Sequence, residues 1–164
     1  FDEEKSHENL MRILLNGYDG GSNNVGSDSY GLTNDWSPKV TLFSFVDCPW
    51  CLLAKQLLLE EYQLENDTLQ IIELENLGQE GKHLLRASIS LATGRTSMPA
   101  CFINGKSVGG YTDGFSTDDN DAMGETSEGF TFVPRPEVDL RMTESKGLAS
   151  LHETGDLRRL LLER

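Results

Sequence analysis

Val40-Thr41-Leu42-Phe43-Ser44-Phe45-Val46-Asp47-Cys48-Pro49-Trp50-Cys51 is the stretch from which the rest of the chain can be read. From Val40 to Val46 it is β-branched or aromatic except at Leu42 and Ser44, which is the composition of a buried strand. Pro49 then stands where a helix accepts proline, at a first position whose N–H would have no intrahelical partner. Leu52, Leu53, Ala54, Leu57 and Leu58 continue at helical spacing to about Tyr62. A strand therefore runs directly into a helix, and two cysteines separated by two residues lie at the junction. Cys48 falls at the N-cap, with Cys51 one turn inside.

Working outward, a second strand is expected over Leu69–Leu74, after the polar turn Glu65-Asn66-Asp67. A second helix is expected from about Gln79 to Thr93, with Gly94 as its C-terminal cap. Ala100-Cys101-Phe102-Ile103 and Ser107-Val108 flank Asn104-Gly105, a strong hairpin signal despite the extra Lys106. Strand, helix, strand, helix and hairpin make an α/β layer fold with a small mixed sheet. Upstream, residues 3–15 read as a short helix whose apolar face (Leu10, Met11, Ile13, Leu14, Leu15) is imperfect. A Gly/Asn/Ser-rich linker follows from Asn16 to Pro38. Residues 1–38 are therefore expected to be a tethered leader and 39–164 the domain. An acidic insert at about 115–146, without a clear period, interrupts that domain. Leu148, Leu151, Leu157, Leu160 and Leu161 close the chain as an amphipathic helical segment.

With 164 residues and 18.2 kDa the chain has the size of one domain. No apolar run approaches the roughly 20 residues of a membrane-spanning helix. The 27 acidic residues against 14 basic ones give a net charge of −13, which argues against a nucleic-acid partner. Residues 1–38 hold 7 acids and 2 bases, and 114–146 hold 8 acids and 3 bases. The acidity is thus concentrated in two flanking segments, expected to be solvated rather than to form a docking surface. Phe1 opens the sequence with no cationic, apolar secretion signal after it, and an intracellular compartment, cytosol or plastid, is expected.

Three cysteines do not make a disulfide framework. The Cys48–Cys51 spacing serves either metal binding or thiol redox chemistry. Zinc would want four ligands. The candidates for the other two are Cys101, in an expected strand, and the scattered His7, His83 and His152. The redox reading is the better one. Free N–H groups and the positive end of the helix dipole favour a thiolate at Cys48, and the thiolate is the species that attacks a disulfide. Cys51 is placed to displace a partner by closing on Cys48. Trp50 reads as an exposed apolar flank, and Cys101 as a small core residue.

Val40–Cys51, Gly94-Arg95-Thr96-Ser97-Met98-Pro99, Phe102-Ile103-Asn104-Gly105 and Val108-Gly109-Gly110-Tyr111-Thr112-Asp113 together resemble a dithiol glutaredoxin. Leu148–Leu157 is similar to that family's last two helices. The resemblance covers roughly 39–113 and 147–164. It implies a thioredoxin fold, a central mixed four-stranded sheet flanked by helices, with Cys48 and Cys51 catalytic. It also implies glutathione as co-substrate and no bound metal. Met98-Pro99 would be a cis-proline loop, and Arg95, Ser97, Met98, Pro99, Gly109, Gly110, Thr112 and Asp113 would bind glutathione. Met98 would offer its main chain to the cysteinyl part, and Thr112 and Asp113 would hold the γ-glutamyl end. The partners implied are glutathione and glutathionylated or disulfide-containing proteins, met by a monomer.

Two departures from the family stand out. Relatives commonly carry a lysine three residues before the first cysteine, where this chain has Phe45, and Asp47 directly precedes Cys48. The site is therefore expected to be short of positive charge, with Arg95 or Arg86 as the candidate to bind the glutathione carboxylate. The second departure is the insert, whose position suggests that it reaches the rim of the site. Two other readings are a glutathione-ligated iron–sulfur cluster dimer, against which Pro49 argues, and a thioredoxin-type reductase, disfavoured by Thr112-Asp113.

Overall fold

The stretch from Val40 to Ser44 is a strand with all five residues buried, and the other elements are arranged around it. The computed structural model describes residues 3–17, 38–112, 124–125, 131–132, 138–142 and 145–162. Its elements begin with α1 (Glu3–Asn16), β1 (Val40–Ser44), α2 (Pro49–Gln56, continued by a π turn at Leu57–Glu61), β2 (Leu69–Glu73) and α3 (Gly78–Thr93). Then come β3 (Ala100–Ile103), β4 (Lys106–Gly109), β5 (Gly124–Glu125), β6 (Thr131–Phe132), α4 (Leu148–Thr154) and α5 (Asp156–Leu162). None of the helices among the described residues is long and apolar enough to cross a membrane.

The main sheet has the order β2-β1-β3-β4, with β1 parallel to β2 and antiparallel to β3. This is the mixed four-stranded sheet of the thioredoxin fold. Val40 lies opposite both Leu69 and Ile103, and side chains alternate along a strand. Val40, Leu42, Leu69, Cys101 and Ile103 therefore share one face, which α2, α4 and α5 cover with Ala54, Leu57, Leu58, Leu148, Leu151 and Leu157. Phe43, Ile72, Ala100 and Phe102 share the other, beneath α1 and α3. There the rings of Phe43 and Phe102 meet edge to face, 5.7 Å between centroids.

Local sequence signals act where expected. Gly94 ends α3 at φ 77°, left-handed, and donates its N–H to the Ser90 carbonyl. Asn104 and Gly105 take φ 52° and 79°, the two positive values that a tight hairpin turn needs. Lys106 is not an extra turn residue, because it pairs with Ile103 as the first residue of β4.

Three features differ from the sequence reading. The N-terminal helix, read as a tethered leader, is part of the core: Leu10, Ile13 and Leu14 are at most 4% exposed and pack on α3. The Gln70 side chain fastens it, donating from Nε2 to the Ile13 carbonyl at 2.9 Å and to Thr41 Oγ1 at 2.8 Å. Burial of three aliphatic side chains contributes on the order of 5 kcal/mol, which outweighs a polar linker. The second difference is in α2, which widens to a π turn where Tyr62 N–H reaches the Leu57 carbonyl at 3.1 Å. Leu57 and Leu58, which open this turn, are both buried.

Third, the end of the insert is structured. Ser107 N–H donates to the Leu140 carbonyl at 2.7 Å and Met142 N–H to the Ser107 carbonyl at 2.8 Å, so Arg141 bridges β4 in parallel. Leu140 N–H reaches the Ala92 carbonyl, and Ser145 Oγ donates to the Val108 carbonyl. β5 and β6 pair with each other beside α3. Pairing across the sheet edge leaves no hydrophobic period in the sequence, which is why the segment looked structureless.

Candidate active site

Cys48 caps α2 with extended backbone (φ −81°, ψ 121°), and its Sγ accepts the Cys51 N–H at 3.3 Å. Pro49, in the first turn, has no N–H to offer, and the sulfur takes the donor at the third helical position, as an N-cap side chain does. The Cys48 thiol also donates toward the Met98 carbonyl, 3.8 Å away. Cys48 is half-buried while Cys51 is fully buried, and both are free thiols in this structure. Burial, reinforced by the hydrogen bond with Cys48, pushes the Cys51 thiol up to about 12, although Phe45 N–H donates to its sulfur at 3.4 Å. Cys101 is enclosed in the core, and burial alone pushes it up to about 12 as well.

The loop after α3 brings four of the expected site residues together. The Met98–Pro99 peptide bond is cis, as the resemblance implied. The Arg95 guanidinium donates to Ser97 Oγ at 3.0 Å and folds against Gly110. A Cβ on Gly110 would stand 2.6 Å from an Arg95 nitrogen and 3.2 Å from the Pro99 carbonyl oxygen, so a larger residue there would displace the Arg95 guanidinium and press on the loop. Gly109 is buried at the end of β4, and Thr112 is exposed just beyond it. Asp113 lies outside the described residues. The Gly110 and Tyr111 carbonyls accept the N–H groups of Leu148 and Ala149, tying this segment to the start of α4.

Charge is distributed differently from the sequence expectation. Lys82 Nζ and the Arg86 guanidinium each lie 5.9 Å from the centre of the Phe45 ring, within cation–π range. Arg86 also donates to the Thr96 carbonyl at 3.3 Å. Positive charge is thus present beside residue 45, carried by α3 rather than by that residue. Lys82 was missed in the sequence. Its spacing of four from Arg86 puts both on one face of a helix, and this was the signal available. On the other side of the thiols, Glu73 accepts from Ser44 Oγ at 2.7 Å and pairs with Lys55, while Glu75 accepts the Val46 N–H at 2.9 Å.

Trp50 is 50% exposed, and its ring lies 6.2 Å from that of Tyr111, tilted by 31°. A cavity of about 590 Å³ is lined by Tyr62, Leu64, His152, Arg158 and Leu161 among others, but by neither cysteine of the pair. Among the described residues, no three His, Cys, Asp or Glu gather as a metal-holding group.

A strand-to-helix dithiol facing a cis-proline loop defines a thiol–disulfide oxidoreductase of the thioredoxin superfamily. The family model described as Glutaredoxin matches residues 40–108. Glutaredoxin-1 of Variola virus is 31% identical over 94 residues, which cover 57% of this chain and 82% of that protein. Glutaredoxin-1 of Camelpox virus (strain CMS) is 30% identical over 87 residues, 53% of this chain and 78% of that one. The chain belongs to the glutaredoxin family. In fold it matches oxidized glutaredoxin 2 from Chlamydomonas reinhardtii (TM-score 0.53, 18% identity, 98% of this chain and 94% of that one). It also matches a buckwheat glutaredoxin–glutathione complex (TM-score 0.53, 15% identity, 96% of this chain and 88% of that one).

Proposed function

We propose that the protein reduces protein–glutathione mixed disulfides and protein disulfides, with glutathione as reductant and Cys48 as nucleophile. The carrying observation is the asymmetry of the pair, since Cys48 is half-buried at the helix start and Cys51 is sealed beneath it. Cys48 thiolate bonds to the glutathione sulfur of the mixed disulfide, the bond to the protein sulfur breaks, and the protein leaves as a thiolate that takes a proton from water. A second glutathione thiolate then attacks the same glutathione sulfur, releasing glutathione disulfide and restoring the Cys48 thiolate. With protein disulfides, Cys48 thiolate bonds to one protein sulfur and the other leaves as thiolate. Cys51 then gives its proton to that thiolate as it attacks the Cys48 sulfur and frees the reduced partner. Two glutathiones in turn reduce the Cys48–Cys51 disulfide, leaving as glutathione disulfide. Burial holds the Cys51 thiol above its ordinary range, which slows its attack near neutral pH and favours resolution by glutathione.

The Met98 main chain would receive the cysteinyl part of glutathione, and Thr112 with Asp113 the γ-glutamyl end. Arg95 and Ser97 brace the loop, Pro99 shapes it, and Gly109 and Gly110 give the backbone room. The cations of Lys82 and Arg86 beside Phe45 support an anion seat for the glycine carboxylate.

The test is glutathione-coupled reduction of the cysteine–glutathione disulfide. Cys48→Ser is expected to abolish turnover and Cys51→Ser to retain a substantial part. Equal loss in both variants would mean an obligatory dithiol mechanism. Turnover that runs with thioredoxin reductase but not with glutathione would overturn the choice of reductant. Iodoacetamide at pH 8 should alkylate Cys48 in the native protein and spare Cys51 and Cys101. A thiol at about 12 is ionised there at only about one part in 10⁴.

A further inference from the structure

We propose that the outward side of α2 is a docking surface for an extended polypeptide carrying apolar and basic residues around its disulfide. The inference rests on the thiol–disulfide chemistry of Cys48 and not on the choice of glutathione as reductant. The inward side of α2 is occupied, because Cys51, Ala54, Leu57 and Leu58 are buried. The outward side should then be polar, yet Leu52 is 48% exposed, Leu53 39% and Leu59 46%. Leu52 and Leu53 are successive positions about 100° apart and Leu59 follows them in the π turn, so they form a broad apolar row along the outward side. Exposed large aliphatic groups so arranged mark a surface that meets something. The row starts one turn from Cys48, with Pro49 exposed between. From Cys48 to Leu59 the helix rises about 16 Å, the reach of about five extended residues.

Charge selects the occupant. Exposed Asp47 stands at the thiol end of the row and exposed Glu60 and Glu61 at the far end. Lys55, the one base of α2, is engaged with Glu73. A second copy of the chain would bring acids against acids, with −13 on each molecule. An anionic ligand would be repelled in the same way. A segment with leucine-like residues over Leu52 and Leu53 and basic residues toward the three carboxylates satisfies both observations.

The test uses the full chain with Cys51→Ser, so that a partner captured by Cys48 stays bound. Three cysteine peptides of equal length are presented as mixed disulfides with thionitrobenzoate, their flanks Leu/Arg, Leu/Glu or Ser/Gly. Cys48 attacks the peptide sulfur, the peptide–thionitrobenzoate bond breaks, and the coloured thiolate leaves. The Leu/Arg peptide is expected to react about tenfold faster than Ser/Gly, and faster than Leu/Glu. Leu52→Ser with Leu53→Ser should remove the advantage over Ser/Gly. Glu60→Gln with Glu61→Gln should narrow the gap between Leu/Arg and Leu/Glu. Reaction of Cys48 with the small neutral dithiodipyridine should be unchanged in all variants. Equal rates for the three peptides would overturn the proposal, as would a parallel change toward dithiodipyridine. A dimer of the unsubstituted chain that Leu52→Ser with Leu53→Ser converts to monomer would assign the surface to a second copy and overturn it too.

Discussion

α1 and α2 are both helices with several leucines, and the fold uses those leucines in opposite ways. On α1, Leu10, Ile13 and Leu14 are buried on α3, and only Leu15 of its apolar set is exposed above one half. On α2, the inward side is equally well packed, but Leu52, Leu53 and Leu59 stand in solvent beside the reactive thiol. Apolar residues at helical spacing say that a helix face wants an apolar surface, not whose surface it is. The α1 face is satisfied within the chain and belongs to stability. The outer α2 face is left exposed beside Cys48, and we assign it to a partner rather than to stability.

The strongest way to break this contrast is to remove one leucine from each helix. Leu10→Ala deletes a fully buried side chain and should cost about 3 kcal/mol, a fall of about 6–12 °C in melting temperature. Leu52→Ser should leave the melting temperature within about 2 °C. Equal shifts from the two substitutions, measured by thermal unfolding, would erase the distinction. Deleting residues 1–17 should be worse than Leu10→Ala, because it also strips the cover from Phe43, Ile72 and Leu85 in the same cluster.

What the sequence disclosed follows the same line. Cys48 at the helix start, the Gly94 cap and the Asn104-Gly105 turn each depend on a few adjacent residues, and each was legible, whereas the cis Met98–Pro99 loop was expected only through the family resemblance. The α/β layering with a small mixed sheet followed from the succession of elements, whereas the strand order is seen only in the structure. Contacts between distant segments were not legible. Nothing near Leu10 shows that it lies on α3 across a glycine-rich linker, and nothing near Arg141 shows that it pairs with Ser107. The cations beside Phe45 belong to the same class, since Lys82 and Arg86 reach the ring from 37 and 41 residues away in sequence.

A smaller effect sharpens the contrast from the α3 side of the thiol. If Lys82 and Arg86 seat the carboxylate of glutathione, Lys82→Ala with Arg86→Ala should raise KM for glutathione about tenfold with little change in kcat. The increase should shrink as salt is added, because exposed charges are screened. Glu60→Gln with Glu61→Gln, on the outer α2 side, should leave that KM unchanged. A KM that follows the α2 substitutions and ignores those on α3 would reverse the assignment of the two flanks.

The smallest effect expected is at Phe45 itself. Taken alone, the sequence makes Phe45→Lys a gain, because it restores the lysine that relatives carry and the site looks short of charge. The structure changes the arithmetic. Two cations already lie 5.9 Å from the ring centre, and the ring face is what they lie against. A lysine there would remove that face and add a third like charge, so attraction for the carboxylate and repulsion among the cations largely offset each other. Phe45→Lys should therefore move KM for glutathione by less than about twofold. In the Lys82→Ala background the repulsion is relieved, and the same substitution should recover part of the lost affinity, a coupling that a double-mutant cycle reads directly. Phe45→Ala, which removes the ring and adds no charge, should raise KM about threefold by loosening both cations. If Phe45→Lys alone lowered KM fivefold or more, the site would be short of positive charge after all, and Lys82 and Arg86 would not be its source.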